Sequence, residues 1–107
     1  MNAHERNDSP HRLSQELTVH SITSALNEIQ DLVRSKNDVQ IDLSDVDQMD
    51  TCGLQLLLVA CQIVRQEGRN FQLMGEISQD IHAFIKESGF QEQFDDMLDS
   101  VRSKAVV

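Results

Sequence analysis

The chain predicts a small α/β domain, a mixed sheet of about four strands with about four helices packed on it. Three observations carry that expectation. Strand-like and helix-like apolar periods alternate along the sequence, the pattern of βαβ units. Ile22, Ala25, Leu26, Ile29, Leu32 and Val33 follow the i, i+3, i+4, i+7 spacing of one helix face. Val39, Ile41 and Leu43 alternate with Gln40, Asp42 and Ser44 as in a half-buried strand, and a strongly apolar helix follows soon after.

Residues 1–11 are polar, contain the only proline and are expected to form a flexible tail, leaving 12–102 as the domain and 103–107 as a frayed end. Arg12 to Val19 alternates loosely and reads as an edge strand or strand pair. Ser21 is placed to cap a helix running from Ile22 to about Lys36. After the strand at Val39, Asp50 stands as N-cap of a helix from Thr51 to about Glu67, ended by Gly68. Asn70 to Met74 is a short strand. Ser78 caps a third helix to Ser88, closed by Gly89, with Phe90 expected to pack back on Ile85. Phe90, Phe94, Met97, Leu98 and Val101 recur at helical spacing and predict a fourth helix.

With 107 residues, one domain is expected, and 39% hydrophobic content allows a modest core. The formal charge of −9, with nine scattered Lys and Arg, provides no basic footprint for nucleic acid and argues against docking on anionic lipid. No apolar run reaches membrane-spanning length, and the first residues lack the apolar core of a signal peptide. Cys52 and Cys61 lie nine apart on one predicted helix, on opposite sides and about 13 Å apart along its axis, too far to pair. Two unpaired cysteines without an export signal fit a reducing cytoplasm.

The most informative stretch is Met49 to Leu57. It sets a hydroxyl at the first position of a helix that is apolar nearly all round. A helix N-terminus offers unpaired N–H groups and favours negative charge, so it tolerates a phosphate. Gly53, the third helical residue, lacks the Cβ that would hold a partner's backbone away.

The segment from Val39 to Leu58 resembles the signature of STAS domains, the family that includes bacterial anti-sigma factor antagonists. Asp42-Leu43-Ser44 ends the strand, and Asp50-Thr51-Cys52-Gly53-Leu54 opens the helix. The resemblance extends from about Arg12 to Val101 and implies a small mixed sheet covered by helices. It also implies a bacterial cytoplasmic regulator of transcription, with Thr51 as phosphoacceptor and Asp50, Cys52, Gly53, Leu54 and Leu56 on the partner-binding surface. The partners so implied are a serine/threonine kinase-type anti-sigma factor and a metal-dependent serine/threonine phosphatase. A second role within the family is the cytoplasmic STAS subunit of a phospholipid-trafficking ABC transporter, whose chains carry a similar Asp-Thr motif.

Other chemistry has less support. Cys52 at a helix start invites a low thiol pKa and a redox role, but Asp45, Asp47 and Asp50 push the other way. No His lies near in sequence to serve it as a base. Asp38, Asp42, Asp45, Asp47 and Asp50 fail the calcium-loop pattern, since Asp50 stands where glycine is needed and Leu56 where glutamate is. They read as solvated loop acids or as a rim steering a basic partner. His4, His11, His20 and His82 show no ligand spacing and read as ordinary surface residues. There is no glycine-rich phosphate loop. No enzyme activity, metal or cofactor is expected. The long helix carries two apolar stripes, one of Leu54, Leu57, Leu58, Cys61 and Val64 and one of Leu56, Val59, Ala60 and Ile63, and either both are buried or one of them is left for a partner.

Overall fold

The computed structural model describes residues 10–14 and 16–98. The elements follow in the order β1 (His11–Arg12), α1 (Ile22–Arg34), β2 (Val39–Asp42), α2 (Thr51–Gln66), β3 (Phe71–Met74), α3 (Gln79–Ser88) and α4 (Gln91–Leu98). The sheet order is β1-β2-β3, with His11 opposite Ile41, Val39 opposite Phe71 and Asp42 opposite Met74. A small α/β domain is therefore what the chain forms.

Among the described residues the sheet has three strands rather than about four, and all are parallel rather than mixed. Connectivity is the reason. Each neighbouring pair is joined through a helix, and a helical crossover returns the chain in the same direction. The expected strand from Arg12 to Val19 is strand only at its start, where His11, assigned to the tail from sequence, already pairs. Leu17 makes one further parallel bridge, to Met49. Val19 would share the buried side of Leu17 in a continued strand. Instead a turn closed by Ser21 N–H donating to Thr18 O, at 3.0 Å, lifts Val19 into solvent.

Alternation gives β2 and β3 their buried residues, Val39 and Ile41 on β2 and Phe71 and Leu73 on β3. Helices contribute Ala25 and Ile29, Leu54, Leu57 and Val64, Ile81 and Ile85, and Phe94 and Met97 to the same core. Because the strands are parallel, α1 and α2 both run back against them and lie side by side in the same direction. Arg69, after α2, holds their C-terminal ends together: Nη2 donates to Val33 O at 2.8 Å and Nη1 to Asn37 O at 3.0 Å. On the other side of α2, Arg65 pairs with Asp96 of α4 and donates to Phe71 O at 3.1 Å.

The helix ends depart from expectation in two places. Ser21 makes no cap bond to α1; its hydroxyl donates to Glu16 O and so ties the preceding loop. At the end of α3, Gly89 takes the left-handed conformation, as expected, but Phe90 is exposed rather than packed on Ile85. Ser88 supplies the stop instead, its hydroxyl donating to Ile85 O at 2.7 Å and accepting from Phe90 N–H at 3.0 Å. Val101 and the two terminal segments beyond residues 10–98 lie outside the described residues.

Candidate functional site at the start of the long helix

Asp50 is the N-cap of α2, in extended conformation, and its carboxylate joins two parts of the chain. Oδ1 accepts from Gly53 N–H at 3.2 Å, and Oδ2 accepts from Val19 N–H at 2.9 Å, in the turn before α1. The Asp50 N–H in turn donates to Leu17 O at 3.0 Å, and Leu17 N–H donates to Gln48 O at 2.9 Å. One side chain therefore caps a helix and fastens a second loop against it. Burial pushes the Asp50 carboxyl up. The backbone hydrogen bonds from Val19, Gly53 and Cys52, with the charge of His20, outweigh that, and the carboxyl titrates below its ordinary range.

Thr51 and Cys52 follow on the exposed first turn, with Gln55 one turn further on. Leu56 is half-buried. Gly53 and Leu54, expected on the partner-binding surface, face inward. Leu54 is in the core, and a Cβ on Gly53 would lie 2.0 Å from Leu17 O. What Gly53 admits is the backbone of its own chain. Of the six residues singled out from sequence, Asp50, Thr51, Cys52 and Leu56 keep some accessible surface, and Gly53 and Leu54 set the shape beneath it.

Val19 is the residue that sequence reasoning left out. It is 54% exposed and sits beside the Asp50 carboxylate, so it adds an apolar point to the surface around Thr51. Loose alternation had assigned it to a strand. The signal that could have found it is the Asp50–Gly53 pair, which needs a neighbouring backbone to hold.

Four of the five clustered acids have structural partners. Asp38 accepts from Asn70 N–H at 2.9 Å, and Asp42 from Ser44 N–H at 2.8 Å. Arg12 lies 3.6 Å from Asp42 and 3.5 Å from Asp45. Hydrogen bonding by Ser44 holds the Asp42 carboxyl below its usual range despite partial desolvation, with Arg12 adding to it. Asp47 is exposed. Among the described residues no group of three or more His, Cys, Asp or Glu is placed to hold a metal ion. His11 is more than a surface residue, since its Nε2 lies 2.9 Å from Glu28 Oε1 and links β1 to α1. Cys61 is buried, and burial pushes its thiol up, with opposing and reinforcing contributions from Arg65 and Asp96. Among the described residues no helix is long and apolar enough to cross a membrane.

The arrangement offers an exposed hydroxyl at a helix N-terminus, beside a cap carboxylate that backbone donors already engage. A family model, that of the STAS domain, matches residues 4–104. No curated protein matches the chain.

Proposed function

The chain belongs to the STAS domain family, and from that premise we propose that it is a phosphorylation-controlled interaction module, anti-sigma factor antagonist-like, with Thr51 as phosphoacceptor. The observation that carries this is the exposure of Thr51 on the first turn of α2, next to a cap residue whose two carboxylate oxygens accept from Val19 and Gly53 N–H. The unmodified surface, Val19 with Thr51, Cys52 and Leu56, binds a serine/threonine kinase-type anti-sigma factor or related signalling partner. That kinase modifies Thr51, and a metal-dependent phosphatase restores it. The domain itself performs no catalysis.

A phosphate brings about −1.5 to −2 charge near neutral pH. The helix start accommodates it, with a dipole contribution of roughly 0.3–1 kcal/mol. At the partner contact the dianion must shed water without gaining a counter-ion. About 2 kcal/mol of such penalty lowers affinity roughly thirtyfold. The test is a native pull-down with mass spectrometry of both the partner and Thr51, followed by titration of the recovered partner. Unmodified protein and Thr51→Ala are expected to bind alike, and phosphorylated protein and Thr51→Glu more weakly. Equal affinities for unmodified and phosphorylated protein would rule out the switch. Recovery of a transporter ATPase in place of a kinase would assign the same surface to the phospholipid-trafficking role.

A further inference from the structure

One carboxylate serves two segments at the candidate site. Asp50 Oδ1 accepts from Gly53 N–H at 3.2 Å inside the first turn of α2, and Oδ2 accepts from Val19 N–H at 2.9 Å in the turn before α1. The residues flanking Val19 are held without that carboxylate. Leu17 is buried, donates to Gln48 O at 2.9 Å and accepts from Asp50 N–H at 3.0 Å, while Ser21 N–H donates to Thr18 O at 3.0 Å. Val19 and His20 form the exposed tip between those anchors. The tip's own bond, His20 N–H to Thr18 Oγ1, is long at 3.3 Å. The bond from Val19 ends on a charged acceptor at ordinary length, so it is the stronger restraint.

We propose that phosphate on Thr51 draws the Asp50 carboxylate off Val19 and so loosens the Val19–His20 tip of the partner surface. This device rests on Thr51 being the phosphoacceptor.

Thr51 directly follows Asp50 and opens α2, so its phosphate is added beside the carboxylate. Two effects act in the same direction. A phosphate dianion and a neighbouring carboxylate repel each other. The phosphate oxygens also compete for the free N–H groups of the first turn, among them the Gly53 N–H on which Asp50 Oδ1 depends. Both Asp50 oxygens belong to one planar group on a short side chain. A rotation that takes Oδ1 from Gly53 therefore carries Oδ2 away from Val19. Leu17 does not follow, because backbone bonds and the core hold it. Modification thus alters a second segment of the surface, where an apolar side chain 54% exposed loses its fixed position.

The test uses the full chain without any partner. Residues 1–51, ending in phosphothreonine or in threonine, are ligated as a thioester onto a segment that begins at Cys52. Amide resonances and hydrogen exchange of the two products are compared at neutral pH. The Val19 amide is expected to exchange about tenfold faster in the phosphorylated chain, the worth of one hydrogen bond to a charged acceptor. Val19 and His20 resonances are expected to move, and exchange at Leu17, Ile41 and Leu73 to stay unchanged. Asp50→Asn, which keeps a good N-cap residue but one carbonyl oxygen for two donors, is expected to free Val19 without phosphate. Phosphate should then add little more, the non-additivity of groups acting through one contact. Circular dichroism checks that this variant is folded. Unchanged exchange at Val19, an equal phosphate effect in Asp50→Asn, or exchange that quickens throughout the core overturns the proposal. Partner titration separates it from the switch itself. A fixed Val19 with weakened partner binding removes the device and leaves the switch, and a loosened Val19 with unchanged partner binding does the reverse.

Discussion

The backbone of Leu17 passes so close to Gly53 that a Cβ on the glycine would stand 2.0 Å from the Leu17 carbonyl oxygen. That approach brings the turn carrying Val19 within reach of the Asp50 carboxylate. The shape of the surface around Thr51 therefore depends on an absent side chain two residues away.

Gly53→Ala is accordingly expected to destabilise the domain by roughly 1–3 kcal/mol, the usual cost of overpacking. Urea denaturation measures it, and the Val19 amide resonance should move as its bond to Asp50 lengthens. An unchanged midpoint with an unmoved Val19 would show that the contact is slack.

Asp50→Ala should cost about 1–2 kcal/mol near neutral pH, in the upper range for a lost N-cap, because Val19 also loses its acceptor. The acid dependence follows from the lowered carboxyl. Its stabilisation is full above the unfolded value of about 3.9 and disappears as pH falls through the lower folded value. Asp42, lowered chiefly by Ser44, acts in the same direction. Denaturation midpoints below about pH 4 should therefore fall more steeply for the unaltered chain than for Asp50→Asn. Parallel pH profiles would contradict this.

Thr51→Ala should shift stability by no more than about 0.5 kcal/mol, as expected for an exposed position without a structural partner. The thermal midpoint checks it. A large loss would mean that the hydroxyl supports the fold and would weaken its assignment as a switch.

Arg69→Met should destabilise by about 1–3 kcal/mol. It leaves the carbonyls of Val33 and Asn37 without the guanidinium that joins the ends of α1 and α2. Hydrogen exchange should quicken in the last turn of α1 before it does elsewhere.

The two thiols should separate cleanly. Cys52 is exposed and Cys61 buried with its thiol held protonated by desolvation. A mild alkylating reagent at neutral pH is expected to label Cys52 at once and Cys61 only on unfolding, read by intact mass. Equal rates would mean that α2 and α4 part readily.

Local rules made much of this protein legible. The period of α1, the alternation of β2 and β3, the Asp50 and Ser78 caps and the Gly89 stop all act within one turn or one strand. They are encoded by residues close in sequence, so they can be read without coordinates. The Asp50–Thr51 helix start belongs to the same class, while the role of Thr51 as candidate phosphoacceptor came from the resemblance of that motif to the STAS signature.

What sequence could not decide was which surface each residue finally shows. Gly53 and Leu54 looked like contact residues, and the approach of Leu17, far away along the chain, turned them inward. Val19 looked like a strand residue, and a turn lifted it beside Thr51. Both stripes of α2 are equally apolar in sequence. Only tertiary packing buried Leu57 and Val64 in the common core while leaving Val59 and Ile63 in solvent. Helix, strand and cap were determined by neighbours along the chain. Exposure was decided by neighbours across it, because burial depends on what packs against a side chain, and distant segments supply that.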